Sequence, residues 1–395
     1  MNIVDNREVI IKGNYDVIVV GGGIAGVSAA VSAAREGAKT LIMEKSIMFG
    51  GLATAGLISW YEPLCDSNGK KMISGIAEEL IQLSAKYGFD NLPDVWKDGN
   101  NTTQTNKKYA TYFSPTIFAM ALDQYLIENN VEIILDCMAT FPVMNGSVCE
   151  GIVAETKEGK VFYGAKSVVD ATGDADIFAK AGAPVVSGDN YLSFVAHGIN
   201  HEAIEKYNNN NNMLFLRKWF FEGSNLFGKG HPEGMELAKG LTSEDITWFV
   251  LAGRKLLFDK IKDQDKNSRD VTTLPSMPQF RKIRRIVGEH EFVAIDGEKF
   301  DNAIGSCGDF RPNGKGKHYQ IPITSLYNKN YSNLIAAGRI ISASGDGWEV
   351  TRVIPVCALT GQAAGLIAAI NKDGINNINY IELANKLKDN KVLFV

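Results

Sequence analysis

An α/β fold, Rossmann-like with a β-meander and with a smaller α+β cap domain, is predicted by three observations. A short apolar run, Asp16–Val20, enters a glycine turn, Gly21–Gly26, and an alanine-rich helical stretch leaves it. Three alternating runs around Asn145–Gly146 and Lys157–Glu158–Gly159 read as a meander. Strand, glycine turn and helix then recur after residue 319, at the far end of the chain.

The glycine turn carries G-x-G-x-x-G at Gly21, Gly23 and Gly26. The first glycine allows the tight turn, the second lets a pyrophosphate approach the backbone, and the third lets helix pack on strand. Ile24 and Ala25 lie between the last two and join the candidate nucleotide contacts. The helix, read over Val27–Arg35 with a stop at Gly37, turns its positive end toward phosphate. A second strand, Lys39–Met43, ends in Glu44, at the spacing where an acid holds a ribose hydroxyl, with Lys45 beside it.

A second glycine-rich loop follows at Phe49–Gly56, with Gly50, Gly51, Leu52, Ala53 and Thr54 as candidates for backbone contact with a flat ligand. Helices are expected over Ile73–Tyr87 and Pro115–Asn129, the latter with Ser114 as N-cap and proline at its first position. A polar surface excursion spans residues 89–112. Val131–Leu135 is a strand, and the meander ends at Ala171–Thr172–Gly173–Asp174. A meander in place of a crossover helix, with a returning Ala-Thr-Gly turn, is the layout of a flavin-binding Rossmann variant. No second G-x-G-x-x-G occurs, so no separate NAD(P)H domain is encoded.

From about residue 185 the periodicity weakens. Asn208–Asn212 reads as a loop insertion. A helix is expected within Leu241–Lys262, capped by Thr242 or Ser243. The compact run Arg281, Lys282, Arg284, Arg285 is either a solvated face or an anion-binding wall. After residue 319, Asn333–Ala337 is a strand leading into Gly338–Arg339, and Pro355–Gly365 is a helix of small residues. Gly361 and Gly365 share one face of it. That face is either a helix–helix contact or part of a helix whose start is aimed at a flavin ring, where its dipole would stabilise the reduced flavin. The domains expected are 1–186 and 319–395 for the nucleotide, and 187–318 for the cap.

The bulk numbers exclude several classes. A chain of 395 residues suffices for two domains and a large core. A net charge of −4 gives no global attraction to nucleic acid or to an anionic membrane. The five cysteines are scattered, with no C-x-x-C, so no metal or iron–sulfur site is expected. Residues 1–14 are polar, and no run of 18 apolar residues occurs. A cytoplasmic protein with a small-molecule substrate is expected, with a homo-oligomer left open.

These motifs resemble the FAD-dependent oxidoreductases of the glutathione-reductase-like flavoprotein superfamily. More narrowly they are similar to the family related to heterodisulfide reductase flavin subunits, without its cysteine clusters. The resemblance rests on Gly21–Gly26, Glu44, Phe49–Thr54, Ala171–Asp174, Tyr319–Pro322, Asn333–Arg339 and Arg352–Gly365. It implies noncovalent FAD in an extended pose. Residues 45–56 hold no histidine, so no histidyl–flavin bond is expected. By motif position it also assigns Asp346 and the backbone at Gly361 to the cofactor.

Hydride transfer between flavin N5 and a small anionic or polyhydroxylated substrate is the activity expected. Substrate contacts are sought among Arg352, Arg339, Arg281, Arg311, His318 and Tyr319. Arginines offer planar forks to an anion, and His318 or Tyr319 a proton donor or base. The alternatives are an electron-transfer flavoprotein subunit, an NAD-using protein like thiazole synthase and, more weakly, a tRNA-modifying flavoprotein.

Overall fold

The computed structural model describes residues 8–66, 68–99 and 107–395. Residues 100–106 of the polar excursion, and 1–7 of the polar N-terminal segment, lie outside the described residues. A parallel core sheet is built on the first strand, Ile10–Val20, whose last four residues are fully apolar and buried. It pairs in parallel with Thr40–Met43 on one side and with Gly159–Asp170 on the other. Glu132–Ile134 extends the first edge, and Leu334–Ala336 pairs in parallel with Gly159–Asp170. So the two ends of the chain share one sheet.

The meander is Met138–Asn145, Val148–Thr156 and Gly159–Asp170, joined antiparallel. Two-residue connections at Gly146 and Glu158 give the tight turns that alternation and glycine had indicated. On one face of the core sheet the helix Ile24–Arg35 packs against Ile354–Ile370. The contact is backbone-close: a Cβ on Gly361 would stand 2.2 Å from the Ala25 carbonyl oxygen, and one on Gly365 2.0 Å from that of Ala29. Gly361 is therefore a helix–helix contact in mid-helix rather than a cofactor contact, because the interlocked helix Ile24–Arg35 occupies its open face.

A separate three-stranded antiparallel sheet places Ser193–Asn200 between Lys218–Gly223 and Arg269–Thr273. The helix Ser243–Ile261 covers it, with the Thr242 hydroxyl accepting from the Asp245 N–H at 3.2 Å. The asparagine run departs from the loop expected. Asn208–Asn210 finish the helix His201–Asn210, Asn211 turns left-handed at φ 50°, and Asn212 caps the next turn by accepting from the Leu214 N–H. Asparagine suits both of the last two positions, which composition alone does not show. Ser114 holds the N-cap of Pro115–Glu128, but its side chain makes no capping bond.

Among the described residues no single helix is long and apolar enough to cross a membrane. Together Gly345–Thr351 and Ile354–Ile370 reach that length, but they are bent by 84°.

Candidate functional site

Three glycine loops and two helix ends meet at one cavity of about 370 Å³. The first loop is shaped by its glycines. Gly21 sits at φ +101°, and a Cβ there would be 2.5 Å from the Ala171 carbonyl oxygen. A Cβ at Gly26 would be 1.8 Å from the Gly21 carbonyl oxygen. Gly23 differs: a Cβ there would meet nothing within 4 Å, so its backbone faces open cavity. It is also the N-cap of Ile24–Arg35, with no side-chain cap and no acid in the first turn. Those amide groups are left for an anion. Ile24 and Ala25 line the same wall.

Glu44 stands at the end of the second strand and lines the cavity. Its carboxylate accepts from the Gly22 N–H at 2.6 Å and the Ser46 N–H at 2.8 Å, which fixes it across the glycine turn. Lys45 lies beside it on the lining. The second loop docks on the first through the Gly50 N–H and the Gly22 carbonyl, 2.8 Å. Gly50, Gly51, Leu52 and Ala53 line the cavity. Thr54 does not. Its hydroxyl turns inward to the Phe49 carbonyl and tightens the loop.

The turn Ala171–Thr172–Gly173–Asp174 forms another wall. Asp170, fully buried below it, accepts from the Thr172 N–H and hydroxyl and from the N–H groups of Ile177 and Phe178. Burial pushes this carboxyl up to about 6 despite those donors. Arg339 lines the cavity but spends its guanidinium on the turn, donating to the Gly173 carbonyl at 2.6 Å and to Asp174 at 2.9 Å. Gly338, at φ +80°, lies against Ala25.

Arg352 lines the far end, with Ile354 and Cys357 of the long helix. It donates through Nε to Glu349 at 2.8 Å, and Lys282 reaches the same carboxylate at 2.8 Å. Arg281 is held by the carbonyls of Asn225 and Ser224, and burial together with the Arg352 charge pushes it down to about 10. Arg281, Lys282 and Arg352 thus crowd three cations around one carboxylate. The rest of the basic run is neutralised: Arg284 pairs with Asp176 and Arg285 with Glu291. An anion wall built from the whole run is not formed.

Four expected contacts lie elsewhere. Tyr319 is buried and donates to Asp309 at 2.8 Å; Arg311 forks onto the same Asp309 and also pairs with Asp346. Asp346 opens the helix Gly345–Thr351 and spends its charge on Arg311, so it does not line the cavity. Strand alternation turns His318 the other way from Tyr319, onto an edge where its ring sits 3.9 Å from Asp296. None of these four lines the cavity.

The sequence offered no signal for Glu62. Its carboxylate accepts from the N–H of Ile354, the first residue of the long helix, at 3.2 Å. Burial pushes it up to about 7, against the Ile354 bond and the Arg352 charge. A carboxyl raised in the fold weakens folding as pH climbs from the ordinary carboxylate range to about 7, because the unfolded chain ionises first. Without flavin, Glu62→Gln should therefore melt a few degrees above the parent at about pH 8 and together with it at about pH 4, in paired melting curves. Equal melting at both would show the burial penalty to be absent.

A family model described as "FAD dependent oxidoreductase" matches residues 16–212 and 251–388. The thiamine thiazole synthase of Sulfolobus acidocaldarius is 27% identical over 187 residues, 46% of this chain and 60% of that one. The chain thus spans about three fifths of the length of that curated relative. Among solved structures, a geranylgeranyl bacteriochlorophyll reductase-like protein from Thermoplasma acidophilum aligns over 96% of this chain and 83% of its own, at 14% identity and a TM-score of 0.47. The p-nitrophenol 4-monooxygenase of Pseudomonas putida aligns over 96% and 89%, at 12% identity and 0.46.

Proposed function

The chain belongs to the FAD-dependent oxidoreductase family, and from that premise we propose that it moves a hydride between FAD and a small anionic or polyhydroxylated organic molecule. The observation that carries this reading is a single cavity walled by Gly21, Gly23–Ala25, Glu44, Gly50–Ala53, Ala171–Asp174, Gly338 and Arg352. The residues suit FAD. Gly23 leaves bare backbone at an uncapped helix end for the pyrophosphate, and Glu44 keeps acceptor capacity for ribose hydroxyls.

FAD, when bound, supplies a ring that accepts or returns two electrons with a hydride. The chain's own work is to bind, orient and neutralise. The surplus positive charge of Arg281, Lys282 and Arg352 favours an anionic group at the far end of the cavity. Ile354 brings a helix N-terminus there, where negative charge is stabilised. Glu62, poised near neutrality at that terminus, can hold or release a proton at its carboxylate. In this reading residues 1–186 and 319–395 form the cofactor domain and 187–318 the cap.

Anaerobic reduction of the purified yellow protein, followed by a screen of carbonyl and enoate compounds for reoxidation, tests the proposal. The reverse screen asks which hydroxy compounds bleach the oxidised form. A compound that exchanges electrons with the flavin at a catalytic rate is expected. Arg352→Ala should slow that exchange at least about tenfold while bound flavin stays constant. Reduction only by a copurifying redox protein would favour an electron-transfer subunit instead.

A further inference from the structure

A second cavity, of about 220 Å³, lies between the cap sheet and the loop that follows the second glycine loop. It includes Leu57, Ser114, His197, Arg217 and Thr273 in its lining. Leu57 is two residues beyond Ala55, which lines the flavin cavity, and Thr273 is three before Ser276, which does likewise. Two chain segments thus run from one cavity to the next. Leu57 is buried and held at φ +60°, a strained setting for leucine that persists where the surroundings enforce it.

Arg217 is the unusual residue here. Its guanidinium lies 4.8 Å from the Phe89 ring centre and 5.2 Å from that of Trp219. One nitrogen, Nη1, donates to the Ser59 hydroxyl and the Phe113 carbonyl, both at 2.8 Å. Among the described residues the buried Nε and Nη2 find no acceptor. Among the described residues Arg217 forms no ion pair. Burial pushes it down to about 10, which still leaves it charged at neutral pH. A charge half out of water with two idle donors is costly unless something pairs with it.

His197 stands beside it, 4% exposed, with Nε2 also unpartnered. Burial and the Arg217 charge push its imidazole down to about 3, so the ring is neutral. A backbone bond at Leu57 acts against that lowering, and burial outweighs it. A neutral imidazole carries one N–H and one lone pair, and the unpartnered Nε2 accepts when the proton sits on Nδ1. A third feature adds to these two. The helix Pro115–Glu128 begins at this cavity with no side-chain cap, so its positive end is open.

We propose that this cavity binds a small hydroxy-carboxylate, with the carboxylate forked on Nε and Nη2 of Arg217 and the hydroxyl donating to Nε2 of His197. Each idle donor and acceptor then gains a partner of the matching kind. The site goes beyond the hydride-transfer reading and does not depend on it, since occupancy requires no change in the flavin.

Calorimetric titration of the FAD-loaded full chain with sodium glycolate, and with acetate as its analogue lacking the hydroxyl, tests the assignment. The parent should bind glycolate saturably and more tightly than acetate. Arg217→Met should weaken both by at least about tenfold, and Arg217→Lys, which keeps the charge but lacks the fork, by several-fold. His197→Phe should leave acetate unchanged and bring glycolate down to the acetate level. Equal binding by the parent and both Arg217 variants, or no saturable binding of glycolate by the parent, overturns the proposal. Should donors bleach the flavin equally in parent and Arg217→Lys while glycolate binding differs, the site stands apart from the chemistry. If glycolate binds but no compound exchanges electrons with the flavin, the hydride reading fails and this one stands.

Discussion

Arg311→Met is expected to cost the fold about 3–5 kcal/mol, read as the loss in denaturant midpoint. The sequence suggested Arg311 and Tyr319 as substrate contacts. The structure instead closes them on Asp309. Both the Asp309 and Arg311 side chains are almost wholly buried, at 0% and 4% exposure. The guanidinium donates to both carboxylate oxygens, at 2.9 Å through Nε and 2.7 Å through Nη2. The Arg311 N–H and the Tyr319 hydroxyl add further donors. Removing the guanidinium leaves a buried carboxylate without its fork, and Gly314 packs directly against that carboxylate. A Cβ on Gly314 would already meet the Asp309 carboxyl carbon at 2.1 Å.

The pH dependence has a definite sign. Burial raises the Asp309 carboxyl, but the bonds from Arg311, its backbone and Tyr319 outweigh burial and hold it below the ordinary range. Such a group stabilises the fold above the unfolded carboxylate value and loses that contribution as pH falls through the folded value. Arg311→Met should therefore be less sensitive to acid than the parent while being weaker at neutrality. Any variant protein that folds should retain flavin chemistry, because Arg311 is outside the cavity. A variant that is fully stable but catalytically dead would return Arg311 to the substrate.

How much of this was legible follows from where each signal resides. The first strand, its helix and the meander carry local periodicity and glycine spacing, and those elements appear where expected, although the first strand already begins at Ile10, six residues before the run read from Asp16. The glycines at 361 and 365 announce close packing, but only the partner shows against what. The basic run is the opposite case. Arg281, Lys282, Arg284 and Arg285 look like one patch in sequence, yet Asp176, Glu291 and Glu349 reach them from distant segments. Asp170, Glu62, His197 and Arg217 were missed for the same reason. Each is an unremarkable polar residue in sequence, and its meaning lies in burial and in partners far along the chain. His318 and Tyr319 illustrate a finer limit. Strand alternation predicts that they point apart, but not that neither lines the cavity.

Gly23→Ala and Gly26→Ala should separate cofactor binding from folding, although the two glycines are three residues apart in one motif. A Cβ at Gly26 would press into the Gly21 carbonyl at 1.8 Å, where helix and strand cross. The crossing must open, and the first turn, the Ala171 turn and the helix pair all rest on it. Gly26→Ala is expected to lose flavin and also several kcal/mol of stability, as overpacked cores do at their most rigid points. Gly23 adopts φ −67°, which alanine tolerates, and nothing among the described residues stands within 4 Å of its missing Cβ. Gly23→Ala should therefore melt with the parent when both are stripped of flavin. Its methyl group, however, would enter the space that a pyrophosphate needs against the bare backbone. Flavin affinity should fall at least about a hundredfold, close to 3 kcal/mol, read from absorbance retained after gel filtration and from titration of the stripped protein with FAD. If Gly23→Ala bound FAD like the parent, the pyrophosphate would not lie on this loop. The cavity would then need another occupant, however well the glycine spacing fits.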